Sequence, residues 1–317
     1  MCNKPLISIG LPVFNGEKYL DETLNSIMTQ TYFNFELIIS DNASTDLTQQ
    51  ICRSYEAKDN RIKYYRNKKN IGASKNFNLV YKLSSGEYFK WAAHDDILDP
   101  NFLYRCLKVL EGDPSIALCY SKTGIIDESG RLIGAYEYTR KINSQKTYER
   151  FGNLLGFSHP TYAIFGLIPS NVLSRTQLIS NYIGSDRNLL AEISLLGRLY
   201  EIPENLIFIR KHSRSYSYIY DKFPRLRITW WDPMITRRII YTTNVIEFFK
   251  SIGNIQLNWF ERLLCYAYLV RWFILEGWPK IYEDIETTFL GRSILAHRVA
   301  SELENFNLKV KRIRFLR

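Results

Sequence analysis

Asp95 and Asp96 stand side by side where the apolar run Tyr88-Phe89-Lys90-Trp91-Ala92-Ala93 gives out, and Pro100 closes the segment. Adjacent carboxylates offer hard oxygen ligands, suited to a divalent cation that in turn holds a diphosphate. The other use for such a pair is a solvated turn, with Asp99 capping the helix that follows. Gly86 and the run behind it read as a buried strand, so the acids fall at a strand's carboxyl end, where open α/β sheets bind their ligands. His212, inside the basic cluster Arg210-Lys211-His212-Ser213-Arg214, suits either a metal or diphosphate contact or plain solvation.

The elements that must position these residues alternate along the chain. Residues 6–15 read as a first buried strand, with helical spacing from Glu17 through Leu20, Leu24, Ile27 and Met28. Residues 35–42 form a second strand, and Ser44-Thr45-Asp46 starts a helix in the manner of a cap. A short third strand covers 62–66, and Asn70-Ile71-Gly72-Ala73 leads into a helix with Phe77, Val80 and Tyr81 inward. The run before Asp95 is the fourth strand, and residues 116–120 are the fifth. Such alternation predicts βαβ units and a mostly parallel sheet flanked by helices. The loops carrying Asn15 and Glu17, Asp41 and Asn42, Asn70, and Asp95 and Asp96 should then share one sheet edge, as in a nucleotide site.

Beyond Asp127 the pattern loosens. A hairpin is expected around Ser129-Gly130, a helix over 187–197 and a strand over 202–210. Past Asp221 the texture is helical, over 233–252, 257–276 (ended by Gly277 and Pro279) and 292–303, before a basic terminus. The expected division is 1–220 as an α/β domain and 221–317 as a helical region, available for membrane or oligomer contact.

The net charge of +10 points to an anionic partner without choosing among phosphates, acidic lipid and nucleic acid. No nucleic-acid motif accompanies it, so no nucleic-acid partner is expected. Five scattered cysteines with no CxxC pair argue against a zinc site or disulfide framework, and for reduced thiols in a cytoplasmic setting. The start lacks the pattern of a signal peptide, and the longest uncharged stretch, 151–174, is broken by glycine and proline, so a soluble or peripheral protein is expected. No Ser-His-Asp or Cys-His spacing supports a covalent nucleophile.

Several of these segments, in order, resemble family 2 glycosyltransferases. Residues 8–17 with Leu24-Asn25-Ser26-Ile27 look like that family's start, and residues 36–46 are similar to its second signature. The segment from Gly86 through His94-Asp95-Asp96 to Pro100 resembles its metal-binding DXD motif, although Ala93 and His94 stand where an acid is commoner. The resemblance implies a GT-A fold with a Rossmann-like sheet, to which the helical texture past Asp221 adds a C-terminal helical extension. It implies an inverting, metal-dependent transferase using manganese or magnesium and a nucleotide-sugar, a UDP-sugar above all. Acceptors would be polysaccharide, lipid-linked or protein-linked hydroxyls, as in cell-surface polysaccharide biosynthesis. The basic C-terminal region would then allow peripheral contact at the inner face of a membrane, and a homo-oligomer is a further expectation.

Residue by residue, Asp41 would accept from the donor's base, with Pro12, Phe14 and Glu17 as the adjoining wall and Asn15, Asn42, Asn70 and Asn76 around it. Asp96 would ligate the metal, Asp95 would face the ribose or support the site, and His212 would complete the metal shell. Arg210 and Arg214 would clamp phosphate oxygens. Asp186, after Gly184-Ser185, resembles the family's general base, although an N-cap is the other use for an Asp before a helix. The alternative function is a nucleotide- or carbohydrate-binding module without transfer.

Overall fold

The computed structural model describes residues 4–136, 141–156, 160–213, 215 and 240–289. Strands β1 (Ile7–Val13), β2 (Phe35–Asp41), β3 (Ile62–Arg66) and β4 (Tyr88–Trp91) run parallel in the order β3-β2-β1-β4. Every residue of β1 and β2 is buried, because helices cover both faces of a parallel sheet. A second sheet holds β5 (Ile97–Leu98), β6 (Ile116–Ile126) and β7 (Leu132–Tyr136). The short β8 (Ile168–Pro169) lies antiparallel on β4, and Leu167 bridges to Cys119 of β6, which joins the two sheets. The long β9 (Arg198–Arg210) runs parallel to β6 and antiparallel to β5.

Helices α1 (Leu20–Met28), α2 (Thr48–Glu56), α3 (Ala73–Lys82) and α4 (Phe102–Gly112) follow the first four parallel strands. One apolar core joins β1 and β2 to α1 and α4 through Ile9, Leu24, Leu37 and Leu103. Another, around Val80, Phe89, Trp91, Leu118 and Leu190, lies under α3. At the amino end of β2, Glu36 accepts from Ser8, Ser85 and Lys63. Burial opposes its charge, yet the Lys63 ammonium and the two serines pull its carboxyl down to about 2.

The later part of the chain adds α5 (Thr147–Leu154), a short α6 (Ser170–Leu173), α7 (Ser185–Leu196), α8 (Ile240–Asn254), α9 (Trp259–Trp272) and α10 (Trp278–Phe289). The expected stop at Gly277 and Pro279 does not occur. A π turn, Phe273–Gly277, carries α9 into α10 without a break, and Pro279 is the second residue of α10. The expected hairpin is present: Asp127 accepts from Ser129 and Arg131 between β6 and β7. The expected helix over 292–303 and residues 233–239 of the expected C-terminal helix lie outside the described residues.

Candidate active site

The parallel register sets Asp41 beside Val13 on one side and Arg66 on the other, at the carboxyl ends of β1, β2 and β3. Asp41 is fully buried. Its Oδ1 accepts from the Ser44 amide at 2.8 Å, and its Oδ2 from the Tyr64 hydroxyl at 2.7 Å and Arg66 Nε at 3.2 Å. A carboxylate has about four acceptor directions, so one remains for a further donor.

The loops around Asp41 are tied to one another by side chains. Asn15, held at a φ of 51°, takes the Thr45 amide on its Oδ1 while its own amide donates to Ser44 Oγ. Glu17 receives the Leu47 amide, and Asp46 receives the amides of Glu17 and Thr48. Asn42 donates to Asn70 Oδ1 and accepts from the Ile71 amide. Asn76 accepts from Ser40 and Asn67 and donates to the Ser40 carbonyl. Pro12 is buried in β1, whereas Phe14 is exposed at the mouth of this loop cluster. Of the residues expected to touch a ligand, Asn15, Glu17, Asn42, Asn70 and Asn76 have structural partners that shape the loops.

Asp95 and Asp96 point different ways. Asp96 is buried; its Oδ1 accepts the Arg210 amide at 3.0 Å and its carbonyl accepts from Thr23. Burial, then the neighbouring Asp95 charge, pushes the Asp96 carboxyl well above the usual range. Lys90 lies fully buried nearby, donating to the Trp91 carbonyl over the Phe102 ring, and burial lowers its amine to about 8. Asp95 instead turns to His212, with Oδ2 and Nε2 2.8 Å apart. Burial works against its charge, but His94 and His212 hold its carboxyl below the usual range.

Tyr19 lies under this pair: its ring meets His212 with centroids 4.9 Å apart, and the Arg210 guanidinium sits 4.6 Å from the same ring. Gly16 lets the β1–α1 loop approach, because a Cβ there would fall 2.7 Å from His94. Arg210, expected as a phosphate clamp, is buried with its guanidinium donating to the carbonyls of Asp95, Asp127 and Glu128 and to Glu22. It braces the hairpin turn against α1 and has no exposed face to offer. Arg214, the other expected clamp, lies outside the described residues.

Asp95 and His212 present one oxygen and one nitrogen donor, and the described residues contain no group of three or more potential metal ligands. That donor set fits a hard divalent cation that completes its shell with phosphate oxygens and water, as magnesium and manganese do beside nucleotides.

Asp186 sits in the first turn of α7, half-buried. Its Oδ1 accepts the neighbouring Arg187 amide, and the Thr161 hydroxyl donates to Oδ2 at 2.5 Å. Gly184, with a φ of 86°, makes the turn into α7, and its Cα packs so close to Asn244 that a Cβ would meet Oδ1 at 2.7 Å. Asn244 in turn donates to the Ile183 carbonyl. Thus α8 fixes the turn that carries Asp186.

Tyr64, Arg66, Tyr19, Glu22 and Thr161 were not foreseen as supports. Tyr64 and Arg66 alternate down β3 in a short half-exposed strand, where a register would have been needed to see that they reach Asp41.

These loops gather at one edge of the parallel sheet, and comparison with known proteins identifies the family of the chain. The model of glycosyl transferase family 2 matches residues 8–182. An uncharacterized glycosyltransferase of Haemophilus influenzae is 31% identical over 226 residues, covering 70% of each chain. One from Rickettsia typhi is 32% identical over 143 residues, and that match spans only 44% of its length. The chain belongs to glycosyl transferase family 2 and is a glycosyltransferase. Its fold is GT-A, shared with Staphylococcus aureus TarS residues 1–349 in complex with UDP (TM-score 0.60, 18% identity, 85% of this chain and 72% of that one). The mannosyltransferase PcManGT of Pyrobaculum calidifontis, in complex with GDP-Man and Mn2+, matches with a TM-score of 0.56 and 15% identity over 97% of this chain and 81% of that one. Among the described residues no helix is long and apolar enough to cross a membrane.

Proposed function

We propose that this glycosyltransferase is inverting and takes its sugar from a nucleotide-sugar, foremost a UDP-sugar. The observation that carries the reading is the fully buried Asp41, which keeps one acceptor direction beside a loop cluster at the strand ends. A uracil ring N–H is a matching donor, and Phe14, exposed at the loop mouth, offers a face for the base. TarS bound to UDP or UDP-GlcNAc and PcManGT bound to GDP-Man share the fold and support a nucleotide-sugar here.

In this reading Asp95 and His212, and not the inward-turned Asp96, hold the cation. A bound cation would supply charge neutralisation for the departing diphosphate. Asp96 serves the site from behind by anchoring the Arg210 amide, which keeps the strand end carrying His212 in place. Asp186 takes the proton from the acceptor hydroxyl as that oxygen attacks the anomeric carbon opposite the leaving group. The Thr161 hydroxyl orients the Asp186 carboxylate for this role. The acceptor belongs to the class of surface polysaccharide, lipid-linked or protein-linked glycans, met in the cytoplasm or at a membrane's inner face through the basic terminus.

A panel of nucleotide-sugars with Mn2+, read by release of nucleoside diphosphate, tests this directly. Turnover of one UDP-sugar, with other nucleotides slower, is the expected result; binding of a nucleotide-sugar without any turnover would instead favour a binding module.

A further inference from the structure

Helix α9, the π turn and α10 form one continuous helical rod from Trp259 to Phe289, about 46 Å long at 1.5 Å per residue. One side of the rod packs on the body through Cys265, Leu269, Trp272 and Gly277, all buried. The opposite side is apolar and exposed. It begins with Phe260, Leu263, Ala267, Val270 and Ile274, at steps of three, four, three and four residues. That is the a/d spacing of a coiled-coil seam.

After Ile274 the next step should be three, which would put Gly277 on the seam. A π turn closes i→i+5 and so takes up one residue more than an α turn. The π turn at Phe273–Gly277 moves the seam on by that residue: Gly277 is buried and Trp278 is exposed, with Tyr282 four residues later. The insertion thus keeps Trp278 and Tyr282 in line with Ile274. Ile274 remains 67% exposed and Trp278 54% exposed.

We propose that this stripe is the interface on which a second copy of the chain docks, helix against helix about a two-fold axis. Three observations select that occupant. The seam spacing is that of one helix seated on another, and a stripe meeting its own copy across a two-fold axis is self-complementary by symmetry. The stripe with its flanking Trp259 and Leu275 exposes roughly 800–1,000 Å² of apolar surface, more than a typical monomer leaves in one patch. Two copies would bury about twice that, the size of a stable protein–protein interface. Asp284 is buried against α8, and the other charged residues of 259–289 are three basic and four acidic, a net −1 on a chain of +10. A helix resting on an anionic membrane needs the opposite sign on its polar face.

Light scattering behind size exclusion, on the full chain over a range of micromolar concentrations, should give twice the monomer mass. Ile274→Glu and, separately, Val270→Glu place like charges opposite one another in the seam. Each should raise the dimer dissociation constant about 30-fold or more, while circular dichroism and nucleotide affinity stay unchanged because both side chains are exposed and touch nothing in the donor site. A wild-type chain that is monomeric throughout overturns the proposal, and so does a dimer that survives both substitutions. Sedimentation with anionic phosphatidylglycerol vesicles supplies the remaining arm: vesicle binding that is lost with Ile274→Glu would assign the stripe to lipid and overturn the dimer.

Discussion

At the scale of residues, two neighbouring acids have opposite environments within one turn of chain. Asp95 faces His212, while Asp96 is drawn inward by the Arg210 amide and its carboxyl is pushed toward the neutral form by burial and by the charge beside it. The expected consequence is a split in mutational response. Asp95→Ala should abolish the Mn2+-dependent part of UDP binding, read by isothermal titration with and without the metal. Asp96→Asn should retain it, since the amide oxygen still accepts from Arg210, at a stability cost of about 1 kcal/mol. The reverse ranking would assign the cation to Asp96. Sequence located this pair at a strand end, and the family resemblance put Asp96 on the metal and Asp95 toward the ribose. The proposed order is the reverse, and it depends on where β9 ends. The Arg210 amide and His212 lie more than a hundred residues downstream and reach the acids through the pairing of β9 with β5 and β6. The same pairing occupies Arg210, whose neighbours in sequence suggested a phosphate clamp.

At the scale of elements, periodicity made the first four parallel strands and their helices legible, since β1, β2 and β4 are mostly apolar runs, β3 is a short segment half exposed, and each helix is a separate amphipathic one. It failed where elements are short or continuous. The two-residue β5 is below any period, and the passage from α9 through a π turn into α10 carries the Gly and Pro that normally end a helix. The turn into α7 was read from Gly184-Ser185-Asp186, yet its fixation by Asn244 was invisible in sequence. That contact makes a sharp prediction. Gly184→Ala forces a side chain into a left-handed φ and against Asn244 Oδ1, costing about 1–3 kcal/mol. Because the strain falls on the turn before Asp186 and far in sequence from Asp41, transfer should drop at least tenfold while UDP affinity holds. The measurement is kcat beside a nucleotide titration, and equal loss in both would mean that α7 also supports the donor pocket.

At the scale of the molecule, the expected boundary near residue 220 separates textures of sequence, but the packing runs across it. Phe151 and Leu155 of the α5 region and Ala191 and Leu195 of α7 share one apolar core with Val245, Phe248 and Ile252 of α8 and with Leu269 and Trp272 of α9. Phe248 is fully buried at its centre, meeting Phe151 and Trp272 edge-on with centroids 6.1 Å away in each case. The C-terminal helices therefore act as a buttress for α7 and, through it, for Asp186. Removing the Phe248 ring tests the coupling. Phe248→Ala should cost about 3–5 kcal/mol, the range for a buried aromatic, and at about 2–4 °C per kcal/mol for a large domain it should lower Tm by roughly 10 °C. The sheet edge that holds Asp41 shares none of this core, so UDP binding should survive below the melting transition while transfer falls. Should UDP binding and transfer decline together in step with Tm, the helical region and the sheet would be one cooperative unit, and the buttress would serve the whole site.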